Sequence, residues 1–186
     1  MYGIRWFLGA IVAAGLTFPA IVAVWQVQSS FPSEVATPPA SLAFIWRDTP
    51  RPLDIAFTDA DGRERALSEF RGRVVLVNLW ATWCAPCLRE MPALDRLQGR
   101  LGGPDFMVVA LSQDRGGMAA VAPFWAEAGL ENLTLFIDKD LAAGRKIKAR
   151  GLPTTLLVDR EGREIARLEG PAEWDAPEVV AYLAGL

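Results

Sequence analysis

The chain has 186 residues, 52% hydrophobic and 22% charged, with a formal charge of −3. That is apolar chain enough for one ordinary core plus an appendage, and the charge leaves no basic footprint for nucleic acid. The sequence holds no histidine and only two cysteines, Cys84 and Cys87. This excludes Ser–His and Cys–His couples and His-ligated metal, falls short of a four-ligand zinc site, and, with Leu88 after Cys87, excludes a haem-attachment motif.

Residues 6–27, "WFLGAIVAAGLTFPAIVAVWQV", carry no charge. As a helix they would span roughly 33 Å, enough for a bilayer core. Trp6 and Trp25 stand near the two ends, where interfacial aromatics belong, and Pro19 would kink the helix without forbidding it. Arg5 precedes the run and nothing basic follows until Arg47. The positive-inside rule then leaves the N-terminus in the cytoplasm and the rest outside. A cleaved signal peptide is the competing reading; its apolar region would be shorter, and no clean A-x-A site follows. The expectation is a transmembrane anchor over 1–27, a Pro/Ser-rich tether over 28–41 and a soluble domain over 42–186.

Within that domain, 53–57 and 63–67 read as a short hairpin around "DADG". "VVLVNLW" (74–80) is a continuous apolar run suited to a buried central strand. A helix is expected from about Pro86 to Arg100, then a second buried strand, "FMVVALS" (106–112). Residues 117–129 read as a helix, 133–137 as a strand and 139–149 as a helix. "TTLLVD" (154–159) and 163–169 form a closing hairpin, and a last helix covers about 173–184. Strands alternating with helices indicate an α/β sheet covered on both faces.

Cys84 stands where the central strand gives way to the helix. A helix N-terminus offers free N–H groups and partial positive charge, which favour a thiolate and mark Cys84 as the nucleophile. Pro86 suits the first helical turn. Cys87, three residues on, shares a helical face, can close a disulfide with Cys84 and can resolve a mixed disulfide. A static structural disulfide, half of an intermolecular metal site and a pair of inert core thiols are the alternatives. Export to an oxidising compartment favours redox work. Trp80 reads as core. Trp83 reads as part of a docking surface beside Cys84. Glu90, one turn after Cys87, could exchange a proton with the resolving thiol or simply complement the helix N-terminus.

"NLWATWCAPCLREMP" resembles the active-site stretch of thioredoxin-like proteins, specifically the membrane-anchored TlpA/ResA group of thiol:disulfide interchange proteins. "GLPTTLLVDREGREIARLEGPAEW" (151–174) is similar to the C-terminal half of TlpA members. The resemblance implies a thioredoxin-like mixed sheet flanked by helices, with an N-terminal hairpin extension and an inserted helix and strand around 117–137. It implies that Cys84 is the exposed nucleophile and Cys87 the resolving thiol. It implies that Pro153 is a cis-proline facing the dithiol, where the residues alone would suggest an ordinary turn. Leu152 would offer backbone groups to an extended substrate segment, and Glu90 matches an acidic residue near the cysteines.

Two departures stand out. Asn78 occupies the place of thioredoxin's buried aspartate, so proton transfer falls to Glu90, water or the partner. No second cysteine pair is present to tie down the domain. Ala85–Pro86 adds no donor or charge to the thiolate, which favours a reductant. The expected function is a periplasm-facing thiol:disulfide oxidoreductase of the cytoplasmic membrane, with no cofactor beyond its dithiol. The resemblance implies exported clients with cysteine pairs, in copper-site or cytochrome c assembly, and a membrane electron donor. A cytochrome c maturation reductant and a non-catalytic copper chaperone or adaptor are the other readings. The copper-insertion relatives use a histidine that this chain lacks.

Overall fold

The first strand in the computed structural model, which describes residues 37–186, is one the sequence does not announce. Strand β1 (Ile45–Pro52) is largely exposed and carries two prolines and three charges. It has no period-two apolar face, and it lies at a sheet edge, the position where proline is tolerated. The expected hairpin follows as β2 (Ala56–Asp59) and β3 (Glu64–Ala66). Its first strand starts later than 53 because Leu53 and Ile55 are drawn into the core before pairing begins. A 3-10 turn (Leu67–Phe70) then buries Leu67 and Phe70.

Strand β4 (Val74–Trp80) is buried at every residue and leads into helix α1 (Ala85–Leu101). Strand β5 (Phe106–Ser112), helix α2 (Met118–Glu127) and strand β6 (Thr134–Ile137) follow close to expectation. Helix α3 (Ala142–Ile147) is shorter than the expected 139–149. Leu141 and Lys148, at its two ends, both take left-handed backbone with φ 57°, which stops an L-residue helix from propagating. Strands β7 (Thr154–Val158) and β8 (Arg163–Glu169) form the closing hairpin, and helix α4 (Pro177–Ala184) ends the fold.

The eight strands form one mixed sheet in the order β1-β8-β7-β4-β5-β6-β2-β3. β4, β5 and β6 run parallel, and the outer pairings are antiparallel. Alternate residues of β4 divide the core. Leu76 and Trp80 join the cluster under α1, α2 and α4, whereas Val75, Val77 and Leu79 pack with Phe70 and α3's Ile147 on the other face. No helix among the described residues is long and apolar enough to cross a membrane. The expected anchor over 1–27 and most of the tether lie outside the described residues.

β1 is held to its neighbour by charge. Glu164 on β8 is fully buried and accepts from Arg47 at 2.5 Å, Arg51 at 3.0 Å and Arg167 at 2.8 Å. Burial alone would raise its carboxyl, but the guanidinium groups of Arg47 and Arg167 outweigh it and hold the pKa below the ordinary range.

Candidate active site

The cysteines sit where β4 hands over to α1, and the local sequence explains the turn. Cys84 is the residue before the first helical turn; its Sγ accepts the Cys87 backbone N–H at 3.3 Å, and Pro86 fills a first-turn position that needs no donor. The two sulfurs form a disulfide with the Cα atoms 5.3 Å apart. Cys84 retains 6% exposure and Cys87 none. Cys84 is thus buried, not exposed as the resemblance implied, and the pair differs only in that Cys84 keeps a trace of access that Cys87 lacks, which assigns attack to Cys84 and resolution to Cys87.

A second support comes from the start of β7. The Leu152–Pro153 peptide bond is cis. Thr154, the next residue, pairs with Leu79 on β4, only five residues before Cys84. The sheet thus carries the proline loop alongside the dithiol. Gly170 donates its N–H to the Pro153 carbonyl at 2.9 Å. Trp83 is 71% exposed, and Trp83 and Leu152 line one cavity of about 250 Å³. The structure thus brings Trp83 and Leu152 together, with Pro153 next in the chain. Trp80 is fully buried against Phe124 and Trp125, as core. A larger cavity of about 560 Å³ lies between the β2–β3 turn and the segment entering α3, away from the cysteines.

Glu90 points into the protein, not at the helix N-terminus. It is buried and accepts three hydrogen bonds: from Asn78 Nδ2 at 2.8 Å, from the Ala172 N–H at 3.2 Å and from Trp174 Nε1 at 3.1 Å. Asn78 also donates to Thr155 at 3.0 Å. Burial raises the Glu90 carboxyl above its ordinary range, against the three donors that pull it down. Asn78 on the central strand is thus directly bonded to the acid that the helix supplies three residues after Cys87.

Sequence reasoning missed two parts of the site. Trp174 was legible only as a piece of "GPAEW"; its fully buried indole anchors Glu90 from the loop before α4. Asp114, after β5, fixes the turn that carries Trp83 and Cys84. Its carboxylate accepts the Thr82 N–H at 3.0 Å, the Thr82 hydroxyl at 2.6 Å and the Ser112 hydroxyl at 2.9 Å. The only available signal was a Ser-x-Asp at the end of a buried strand.

A central mixed sheet with α1 capped by a Cys-x-x-Cys disulfide, and a cis-proline loop alongside it, defines a thioredoxin-like dithiol protein. The comparisons agree. The chain belongs to the Redoxin family, whose model matches residues 26–183. It is 34% identical over 116 residues to the thiol-disulfide oxidoreductase ResA of Bacillus thuringiensis subsp. konkukian, covering 61% of this chain and 64% of that protein. ResA of Geobacillus kaustophilus is 33% identical over 111 residues, covering 59% and 62%. The matched region is therefore under two thirds of these relatives' own length. Among solved structures, a Chlorobium tepidum protein described as a thiol:disulfide interchange protein DsbE superposes with a TM-score of 0.64 at 26% identity, covering 75% of this chain and 99% of that one. The exposed lipoprotein thioredoxin Etrx1 of Streptococcus pneumoniae gives 0.62 at 25% identity, covering 72% and 100%.

Proposed function

We propose that this protein is a thiol:disulfide oxidoreductase that reduces cysteine pairs in exported client proteins, held at the cytoplasmic membrane with its catalytic domain on the periplasmic side. The observation that carries the reading is the asymmetric pair: Cys84, at the N-terminus of α1 with a trace of exposure, bonded to a Cys87 with none. Reduced Cys84, as thiolate, attacks one client sulfur; a mixed disulfide forms and the first client thiolate leaves to take a proton. Cys87, deprotonated, then attacks Cys84 Sγ, restores the Cys84–Cys87 disulfide and releases the second client thiol. Two electrons and two protons pass from the protein dithiol to the client, and a membrane electron donor returns them. Leu152 and Pro153 offer backbone for an extended client segment, and Trp83 forms its wall.

The names of the ResA relatives support the activity. The uncharged run over 6–27 supports the anchor and the orientation. Clients in cytochrome oxidase or cytochrome c assembly belong to the same proposal. The test is the reduction potential of the full-length protein, equilibrated against thiol buffers, with exchange measured alongside. A reversible couple near about −270 mV, or somewhat above, supports a reductant. A value near about −120 mV makes it an oxidant, and a pair that stays oxidised below about −300 mV without catalysing exchange makes it a structural disulfide.

A further inference from the structure

The cavity beside the dithiol has a charge of one sign. Its walls include Trp83, Leu152, Gln113 and Gly144, closed by Arg145 and Arg150, and they hold no carboxylate. The segment 141–153, which forms much of that wall, contains four cations, Arg145, Lys146, Lys148 and Arg150, and no acid, in a chain whose net charge is −3. All four side chains are exposed, and among the described residues none is in an ion pair. Of the fourteen other cations among the described residues, eight pair with carboxylates, Arg47, Arg51, Arg63, Arg65, Arg96, Arg160, Arg163 and Arg167; the other six do not, but none of those six shares a run of four cations without an acid.

An unused donor also lies behind the cavity wall. Gln113 is 7% exposed, and its Nε2 is buried with no acceptor among the described residues. Buried amide donors are nearly always satisfied, so this one, closed off behind the wall, is available to a client acceptor once the Gln113 side chain turns toward the cavity. Gly144 shapes the same spot: a Cβ there would lie 2.5 Å from Gln113 Oε1, so a larger residue would push the Gln113 amide aside. A helical glycine is unfavourable by about 0.5–1 kcal/mol against alanine, and close approach to Gln113 is what its absence of a side chain permits.

We infer that this groove selects acidic client segments: a carboxylate side chain near the client cysteine enters the cavity beside Trp83, accepts from Gln113 and is drawn in by Arg145 and Arg150. The inference rests on the thiol-exchange reading and names its client chemistry. Charges on the rim steer encounter and set partner preference more than they add raw affinity. The preference therefore appears mainly in the second-order rate of exchange, and it fades with salt.

The experiment uses the full-length protein, reduced and freed of reductant. Oxidised peptides with one intramolecular disulfide are flanked by Glu, by Gln or by Lys, and the neutral small molecule hydroxyethyl disulfide is run alongside. The Glu peptide is expected to react about tenfold faster than the Lys peptide at low salt, with the gap closing in about 0.5 M salt. In Arg145→Glu/Arg150→Glu the order inverts when each rate is divided by that protein's own rate with hydroxyethyl disulfide. Gln113→Leu narrows the Glu-to-Gln peptide ratio without touching charge. Equal rates for all three peptides, with hydroxyethyl disulfide still reduced, overturn the acidic preference and leave the oxidoreductase reading standing. Failure to reduce hydroxyethyl disulfide overturns both.

Discussion

Single side chains decide how the dithiol behaves. Glu90 is a carboxyl kept among apolar walls and three donors, with its pKa raised above 4.5. Its protonated form favours the fold. That contribution is complete below the ordinary carboxyl pKa and is lost as pH rises through the folded value. Glu90→Gln should therefore remove a decline in stability on the alkaline side of pH 4.5, measured by urea unfolding at a series of pH values. A wild-type curve parallel to that of the variant would contradict the shift. The same substitution removes a negative charge near the resolving thiol. Cysteine ionisation followed by thiolate absorbance should move to lower pH, and the pH–rate profile of exchange should follow it. Asp114 acts through Thr82, not on sulfur. Asp114→Ala strands three donors, the Thr82 N–H, the Thr82 hydroxyl and the Ser112 hydroxyl, costs about 2–3 kcal/mol in denaturant unfolding and slows exchange; Asp114→Asn, which keeps an acceptor, should recover part of both.

At the scale of elements, β1 depends on one buried carboxylate. The Glu164 pKa is depressed, so its contribution is present above 4.5 and lost as pH falls through the folded value. Acid should loosen β1 before the core melts. Glu164→Gln should cost about 2–4 kcal/mol, discounted for the partly exposed arginines, and should raise hydrogen exchange over 45–52 more than over β4. Uniform exchange changes would mean that β1 is held by its backbone ladder alone. These elements also mark the limit of what the sequence discloses. β4 and β5 were legible residue for residue, because a buried parallel strand needs an unbroken apolar run. Both cysteines, Trp83 and Pro153 were legible as motifs or by resemblance. β1 was not, since its pairing rests on Arg47 and Arg51 reaching a glutamate more than a hundred residues away. α3 was expected, but over 139–149 and so too long, because left-handed backbone at Leu141 and Lys148 has no mark in side-chain type. Trp174 and Asp114 were missed because their meaning lies in bonds to distant chain.

For the whole molecule, the disulfide adds modestly to stability. Its ring is four residues long, so the oxidised form should be more stable than the reduced by about 2 kcal/mol on chain-entropy grounds. Parallel urea titrations with and without reductant measure this directly, and a reduced form as stable as the oxidised one would refute it. The core is otherwise held by two apolar layers on a sheet of eight strands, with no second cysteine pair to assist it. The path by which the chain reaches β1 also has a practical consequence. Leu42 is buried in the α1 layer, and Phe44 lies 6.4 Å from the Trp174 ring, whose indole anchors Glu90. A version cut back to begin at residue 46 would keep every strand pairing beyond Ile45, yet would lift that cover. Water would reach Trp174, the Glu90 carboxyl would ionise more readily, and the dithiol would titrate differently from that of a protein begun at residue 37. Where the experimenter trims the gene thus sets the acidity measured some forty residues downstream.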